Sequence, residues 1–396
     1  INICGLDKNC QRLTSRRQFF YGYIFSENVN PIFQRIYLKK EVMPFMNQMA
    51  GKQSIRFDRP VEIISHACAA GQKEGEGPLG KYMDLIVDDP LFGQDNWEES
   101  ESQFVRAACE IALKKGGKRK EDVRIAFCGD LLGQLIASSF GIKELNIPYY
   151  GVYGACSSAG VTLSMAAMAV NGGFADLALA ACSSHFGSAE KEFRFPLGYG
   201  NQRPYSSTWT VTGAGAFLLS GSSDTCEMNQ KAGARSAAEK KVVIRGVTTG
   251  KIKDYGVQDP FNMGACMAPA AADTIYQSLE DFQMRAADFD AVITGDLGAV
   301  GQKLLFSLLK DNHVDITANH MDCGMQIYDE QQDTHAGGSG CACSAVVLSS
   351  MILPRLVSGD WKRVLFVPTG ALLSQVSSNE GRSIPAIAHG VWLEHA

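Results

Sequence analysis

Residues 155–184, "ACSSAGVTLSMAAMAVNGGFADLALAACSS", decide the fold, because residues 342–374, "ACSAVVLSSMILPRLVSGDWKRVLFVPTGALLS", repeat their plan. Each stretch starts with a cysteine among small residues and continues as an apolar, helix-forming run. Each breaks at glycine, which supplies the left-handed residue that ends a helix. Each then resumes as a short apolar run suited to a buried strand. The spacing agrees: Cys156 precedes Gly172 by 16 residues, and Cys343 precedes Gly359 by 16.

A second pair of matching stretches lies upstream. "RIAFCGDLLGQLIASSF" (124–140) resembles "AVITGDLGAVGQKLLFS" (291–307), each an apolar run, then Gly-Asp-Leu, then a helix-like segment. Asp130 stands 26 residues before Cys156, and Asp296 stands 47 before Cys343, so the second copy carries about 21 extra residues. A surface loop absorbs an insertion of that size. Two copies of a βαβ unit predict an α/β protein of two related halves packed as one body. Two copies at so long a period exclude a solenoid. The halves are assigned to residues 49–240 and 241–396.

Composition narrows the functional classes. The chain has 396 residues, 45% of them hydrophobic and 20% charged, which is a globular composition. No window approaches 18 uninterrupted apolar residues, so no membrane-spanning helix is expected. A net charge of −5 gives no reason to expect nucleic acid. The 12 cysteines are scattered, and several, such as Cys128, Cys182 and Cys266, fall inside apolar runs. They read as buried free thiols in a reducing compartment. Cys341 and Cys343 form the one close pair, and no partner pair at zinc spacing accompanies them, so no metal is expected.

Residues 1–48 differ from the rest. They carry seven Lys/Arg against three Asp/Glu, with aromatic residues clustered in "RRQFFYGYIF". One reading is a basic aromatic arm that touches a membrane surface or a partner. The preferred reading is sequence upstream of the true start, with Met43, Met46 or Met49 as first residue.

The "ACSS" motif of the first copy and the paired Gly-Asp-Leu corners resemble the thiolase and ketoacyl synthase superfamily. More closely, residues 51–396 resemble the stage V sporulation protein AD family. The matching runs are "EGPLG" (76–80), "GDLLGQ" (129–134), "GACSS" (154–158), "MAPAAADTI" (267–275), "DCGMQIY" (322–328), "AGGSGCACSAVV" (336–347), "TGALLS" (369–374) and "IAHGV" (387–391). The superfamily resemblance implies a five-layer α-β-α-β-α body. The family resemblance implies binding of dipicolinic acid, free or as its calcium salt, without a cofactor. It implies a role in moving dipicolinate into the forespore and releasing it at germination. It places the protein at the periphery of the spore inner membrane, beside membrane subunits of the SpoVA complex. A homodimer through the thiolase-type interface is among the assemblies it implies.

A cysteine at a helix N-terminus has the makings of a nucleophile, since unpaired N–H groups and the helix dipole lower its pKa. Acyl transfer also needs a base and an oxyanion hole. Where the superfamily supplies them, this chain has Thr294, Gly295 and Asp296 in one place and Gly337 in another. Ala386 takes the position of the second thiolase cysteine, and His389 replaces a loop glycine, which is expected to bring an imidazole near Cys156.

The expectation is a binding pocket that has lost its catalytic helpers. One helix end favours an anion by only ~0.3–1 kcal/mol, so a small dianion needs further donors. The candidate ligand-binding residues are Cys156, His185, Arg194, Asp296, Gly338, Ser339, Gly340 and His389. For His185 a satisfied structural histidine is an equal alternative. For Arg194 the alternative is a surface salt bridge, and for Asp296 a helix cap. Two other functions stay open: an acyltransferase using a Cys156–His389 dyad, and a scaffold with a vestigial pocket.

Overall fold

The seam of the molecule is one long strand, β1 (Ser54–Gly71), where two five-strand arrays meet. The computed structural model describes residues 48–193, 203–221 and 241–396. The N-terminal extension up to residue 47, and Arg194, lie outside the described residues. From residue 48 to the C-terminus the chain forms one unit.

The first array adds β2 (Ile125–Gly129), β3 (Tyr149–Gly151), β4 (Leu177–Ser184) and β5 (Gly213–Gly221) to β1. The second contains β6 (Val242–Thr248), β7 (Ala291–Thr294), β8 (His320–Asp322), β9 (Arg363–Val367) and β10 (Gly390–His395). Across the sheet they run β8-β7-β9-β10-β6-β1-β5-β4-β2-β3. Outward from the seam, each array therefore has the order first, fifth, fourth, second, third. In both arrays the inner two pairings are antiparallel and the outer two parallel. Antiparallel pairing of β1 with β6 joins them. The sequence repeat is thus a repeat of topology.

The helices used below are α1 (Trp97–Lys115), α2 (Ile136–Leu145), α3 (Ser158–Asn171), α4 (Phe186–Phe193), α5 (Met263–Phe282), α6 (Gly298–Lys310) and α7 (Cys341–Val347). After α7 a π-helical turn, Leu348–Ile352, carries the helix on to Ser358. Strand side chains alternate between two cores, as the period of two requires. On β4, Ala178, Ala180 and Cys182 enter a middle core, while Leu177, Leu179 and Ala181 enter an outer one with α1 and α2. On β9, Val364 and Phe366 join the same middle core, while Leu365 and Val367 pack outward with α5 and α6. Helices α3 and α7 fill the middle core. The result is helices, half-sheet, central helices, half-sheet, helices: the five layers expected of the resemblance.

Central helices between two half-sheets must be thin. They are rich in Ala, Gly, Ser and Cys, and the strands facing them use small residues as well. A Cβ at Gly215 on β5 would lie 2.7 Å from the Cβ of Ala345 on α7. The run Cys341–Ser358 is long and apolar enough to cross a bilayer, but it is mostly buried as this core helix. The described cysteines are free thiols.

Replacing the fully buried Phe366 by alanine is expected to cost ~3–5 kcal/mol. The same change at Phe140, which is 48% exposed, should cost less than ~1 kcal/mol. Urea denaturation of the two variants checks this, and equal costs would contradict the middle core described here.

Candidate functional site

The site forms where the two repeated corners meet. After β7 the chain turns through Gly295 and Asp296 into α6. The expected helix cap is present, but Asp296 does not supply it. Asp322, at the end of β8, accepts the N–H groups of Leu297 at 2.9 Å and Gly298 at 3.0 Å, and the Thr294 hydroxyl at 2.6 Å. Asp296 is left to face Cys156 of the other half. Its Oδ1 accepts the Thr369 hydroxyl at 2.8 Å, and its Oδ2 accepts the Gly340 N–H at 3.1 Å. Burial pushes its pKa up to about 7, against the lowering effect of its bonds to Cys156, Thr369 and Gly340.

Cys156 comes from the first half on a tight turn. Ala155 has φ of 48°, a left-handed conformation that alanine adopts only at a cost. The Ser157 hydroxyl donates to the Gly154 carbonyl at 2.6 Å, and the Ser158 hydroxyl to the Ala155 carbonyl at 2.7 Å. The short strand Thr369–Ala371 presses on the turn, and a Cβ at Gly370 would collide with the Gly154 carbonyl. From the other half, Cys341 at the start of α7 donates its thiol to the Ala155 carbonyl at 3.0 Å.

The helix end does not activate Cys156 as expected. Burial pushes the thiol well above its ordinary range, and the charge and hydrogen bond of Asp296 push it further. The backbone N–H groups of Gly340 and of Cys156 itself act in the opposite sense and are outweighed. Thiolate formation would set a second anion against Asp296 in a poorly solvated place.

Both residues open onto a narrow cavity of about 50 Å³, with Ser339 and Thr210 adding polar lining. Its remaining walls are apolar, chiefly Leu131, Tyr153, Phe193, Met263, Met267 and Leu373, with Glu190 of α4 at one side. Among the described lining residues none is Lys, Arg or His. Gly340 has φ of 97°, and a Cβ there would lie 2.5 Å from the Ser184 hydroxyl, so glycine lets its N–H reach Asp296. Gly338 pairs its backbone with Trp209 and Ser339 with Thr210.

The two candidate histidines go elsewhere. His185 lines a separate cleft of about 750 Å³ with Trp97, Phe186 and Trp209. One ring nitrogen meets the Pro90 carbonyl at 2.8 Å and the other accepts the Gly187 N–H at 3.0 Å, which makes it the satisfied structural histidine weighed as the alternative. His389 does not line the Cys156 cavity either. It backs onto Gly160 of α3, accepts the Gly250 N–H at 3.3 Å, and is held neutral by burial, with its pKa lowered to about 4. The structure thus brings Cys156, Asp296, Ser339 and Gly340 together. Sequence reasoning missed Thr369, Glu190 and the two methionines. Of these, Thr369 lay in the "TGALLS" run and Met267 at the start of the "MAPAAADTI" run, whereas Glu190 and Met263 lay in none of the matching runs.

Similarity to solved structures agrees with this architecture. A variant of OleA from Xanthomonas campestris matches with a TM-score of 0.52 at 12% identity, over 86% of this chain and 99% of that one. Human mitochondrial 3-ketoacyl-CoA thiolase, solved in complex with CoA, matches with a TM-score of 0.50 at 12% identity, over 85% and 98%. The class is therefore a thiolase-like fold, with a cysteine at the head of the first central helix. Within that class, residues 51–394 match the family model described as Stage V sporulation protein AD (SpoVAD). Stage V sporulation protein AD of Bacillus subtilis (strain 168) is 42% identical over 349 residues, 88% of this chain and 98% of that protein. The chain belongs to the stage V sporulation protein AD family, sporulation proteins with a thiolase-like fold.

Alkylation of Cys156 by iodoacetamide at pH 8 should be slower than that of an unperturbed thiol, since little thiolate is present. Asp296→Asn removes the neighbouring charge and should speed it, by about tenfold for each unit the thiol pKa falls. Peptide mapping by mass spectrometry reads the rate at this one cysteine, and an unchanged rate in Asp296→Asn would refute the coupling.

Proposed function

We propose that this sporulation protein binds dipicolinic acid in the Cys156–Asp296 cavity without transforming it. The binding serves dipicolinate movement into the forespore and its release at germination, beside membrane subunits at the spore inner membrane. The observation that carries the reading is Asp296, a buried carboxyl whose acid form persists to about pH 7, at the polar end of an apolar cavity. A protonated carboxyl donates a hydrogen bond to a ligand carboxylate. An ionised one repels it, unless calcium lies between the two. The cavity must widen to admit a pyridine ring, and Met263 and Met267 are unbranched walls able to re-pack. Arg194, proposed from sequence, supplies a cation for the second carboxylate.

The state of the thiol supports non-catalytic binding. Deprotonating Cys156 is opposed by burial and by Asp296, and neither His185 nor His389 lines the cavity. The apolar walls favour one competing reading, a site that accepts an acyl chain on Cys156. Acetyl-CoA separates the two: an acetyl adduct on Cys156 with release of free CoA supports acyl transfer, and no adduct supports binding alone.

Calorimetric titration with dipicolinate tests the proposal. If the acid form of Asp296 is the binding form, affinity is level below pH 7 and falls by about tenfold per pH unit above it. Asp296→Asn should flatten that profile, Cys156→Ser should keep most of the affinity, and Arg194→Ala should weaken it. Calcium that restores affinity at pH 8.5 would assign a metal-bridged carboxylate instead. An absence of heat at millimolar dipicolinate, with and without calcium and across pH 6–8.5, ends the reading.

A further inference from the structure

A cleft of about 560 Å³ lies at the other end of the second half-sheet, lined by Arg56, Arg245, Arg363, Trp392, Glu394 and the end of α5. Arg363 is the first residue of β9, whereas the Cys156 site sits beyond the last. We propose that Arg56, Arg245 and Arg363 form a binding site for a phosphate group.

The backbone is shaped to bring these arginines together. On β6, Gly246 pairs with Trp392 and Ile244 pairs with Leu393, so Arg245 is an extra residue without a partner on β10. On the other side, Gly246 pairs with Arg56 and Ile244 with Val61, and Arg245 again has no partner. A bulge of this kind re-aims a side chain. It turns Arg245 toward Glu394, whose Oε2 lies 3.4 Å from its Nε. Arg363 is paired across the strands with Glu394, and Arg56 from the seam strand lies 5.4 Å over the buried ring of Trp392.

The charges do not balance. Glu394 serves two guanidinium groups, and its contact with Arg363 is 3.8 Å, too long for a hydrogen bond. Among the described residues Arg56 has a cation–π contact but no ion pair. The other lining carboxylate, Asp288, is already matched by Arg285 at 2.7 Å. Three forks of N–H donors thus line the cleft with one carboxylate not matched elsewhere, and Glu394 reaches only two of them, at 3.4 and 3.8 Å. Arginine forks match the oxygen geometry of phosphate and hold it bidentately. A free phosphate compound and a phospholipid headgroup present the same chemistry.

The first experiment titrates the protein with sodium pyrophosphate by calorimetry at low salt. Binding that weakens as salt is added, and by at least tenfold in the Arg56→Gln/Arg245→Gln double variant, is the expected result. Arg363→Gln, at an exposed strand end, is a second variant that should weaken binding several-fold, and circular dichroism verifies folding of both. The second experiment is flotation with vesicles of phosphatidylglycerol, compared with phosphatidylcholine. Flotation with phosphatidylglycerol that the variants lose assigns the site to a lipid headgroup, and pyrophosphate binding without flotation assigns it to a soluble phosphate compound. If neither probe binds, or both folded variants bind as wild type does, the proposal is overturned.

Discussion

The distance between the two half-sheets governs the rest of this structure. Two helices must lie between them, and they fit only because side chains at the contacts are small. Gly215 lies under Ala345, Gly340 under the Ser184 hydroxyl, and Gly370 against the turn before Cys156. Close packing of this kind leaves little room for adjustment, so adding one methyl group at such a contact moves backbone. The same approach brings the N-terminal end of α7 against the Ala155–Ser157 turn that leads into α3, with Cys341 reaching the Ala155 carbonyl. The pocket arises there because both halves end their central helices at one place.

Duplication also explains why one Gly-Asp corner faces the cavity and the other does not. Asp130, in the first half, uses its carboxylate on the N–H groups of Leu132 at 2.8 Å and Ser138 at 2.7 Å. It is occupied in holding the local turn. In the second half that work belongs to Asp322, which holds the start of α6. Asp296 is thereby released to face Cys156. A buried carboxyl with only hydroxyl, amide and thiol partners is held partly protonated near neutrality, and it suppresses the thiol beside it. The electrostatics of the site therefore differ from those of an activated cysteine at an open helix end.

The sequence alone determined the architecture. Matching intervals from cysteine to glycine in the two copies, and matching Gly-Asp-Leu corners, demanded two related βαβ halves. The topology repeats strand for strand, because hydrophobic period and turn glycines are local properties that survive divergence. The position of Cys156 and of the Gly338–Gly340 run at helix starts was legible for the same reason: both are short local motifs. What only the tertiary structure decided is direction and environment. Whether His185 and His389 face the cavity depends on which backbone carbonyl or amide lies nearest each ring, and those partners, Pro90, Gly187 and Gly250, are remote or unremarkable in sequence. That burial outweighs the helix end at Cys156, and that a carboxylate 140 residues later in the chain adds to it, depends on how the elements pack. Those are sums over contacts between elements that meet only in the folded chain, and no local pattern encodes them.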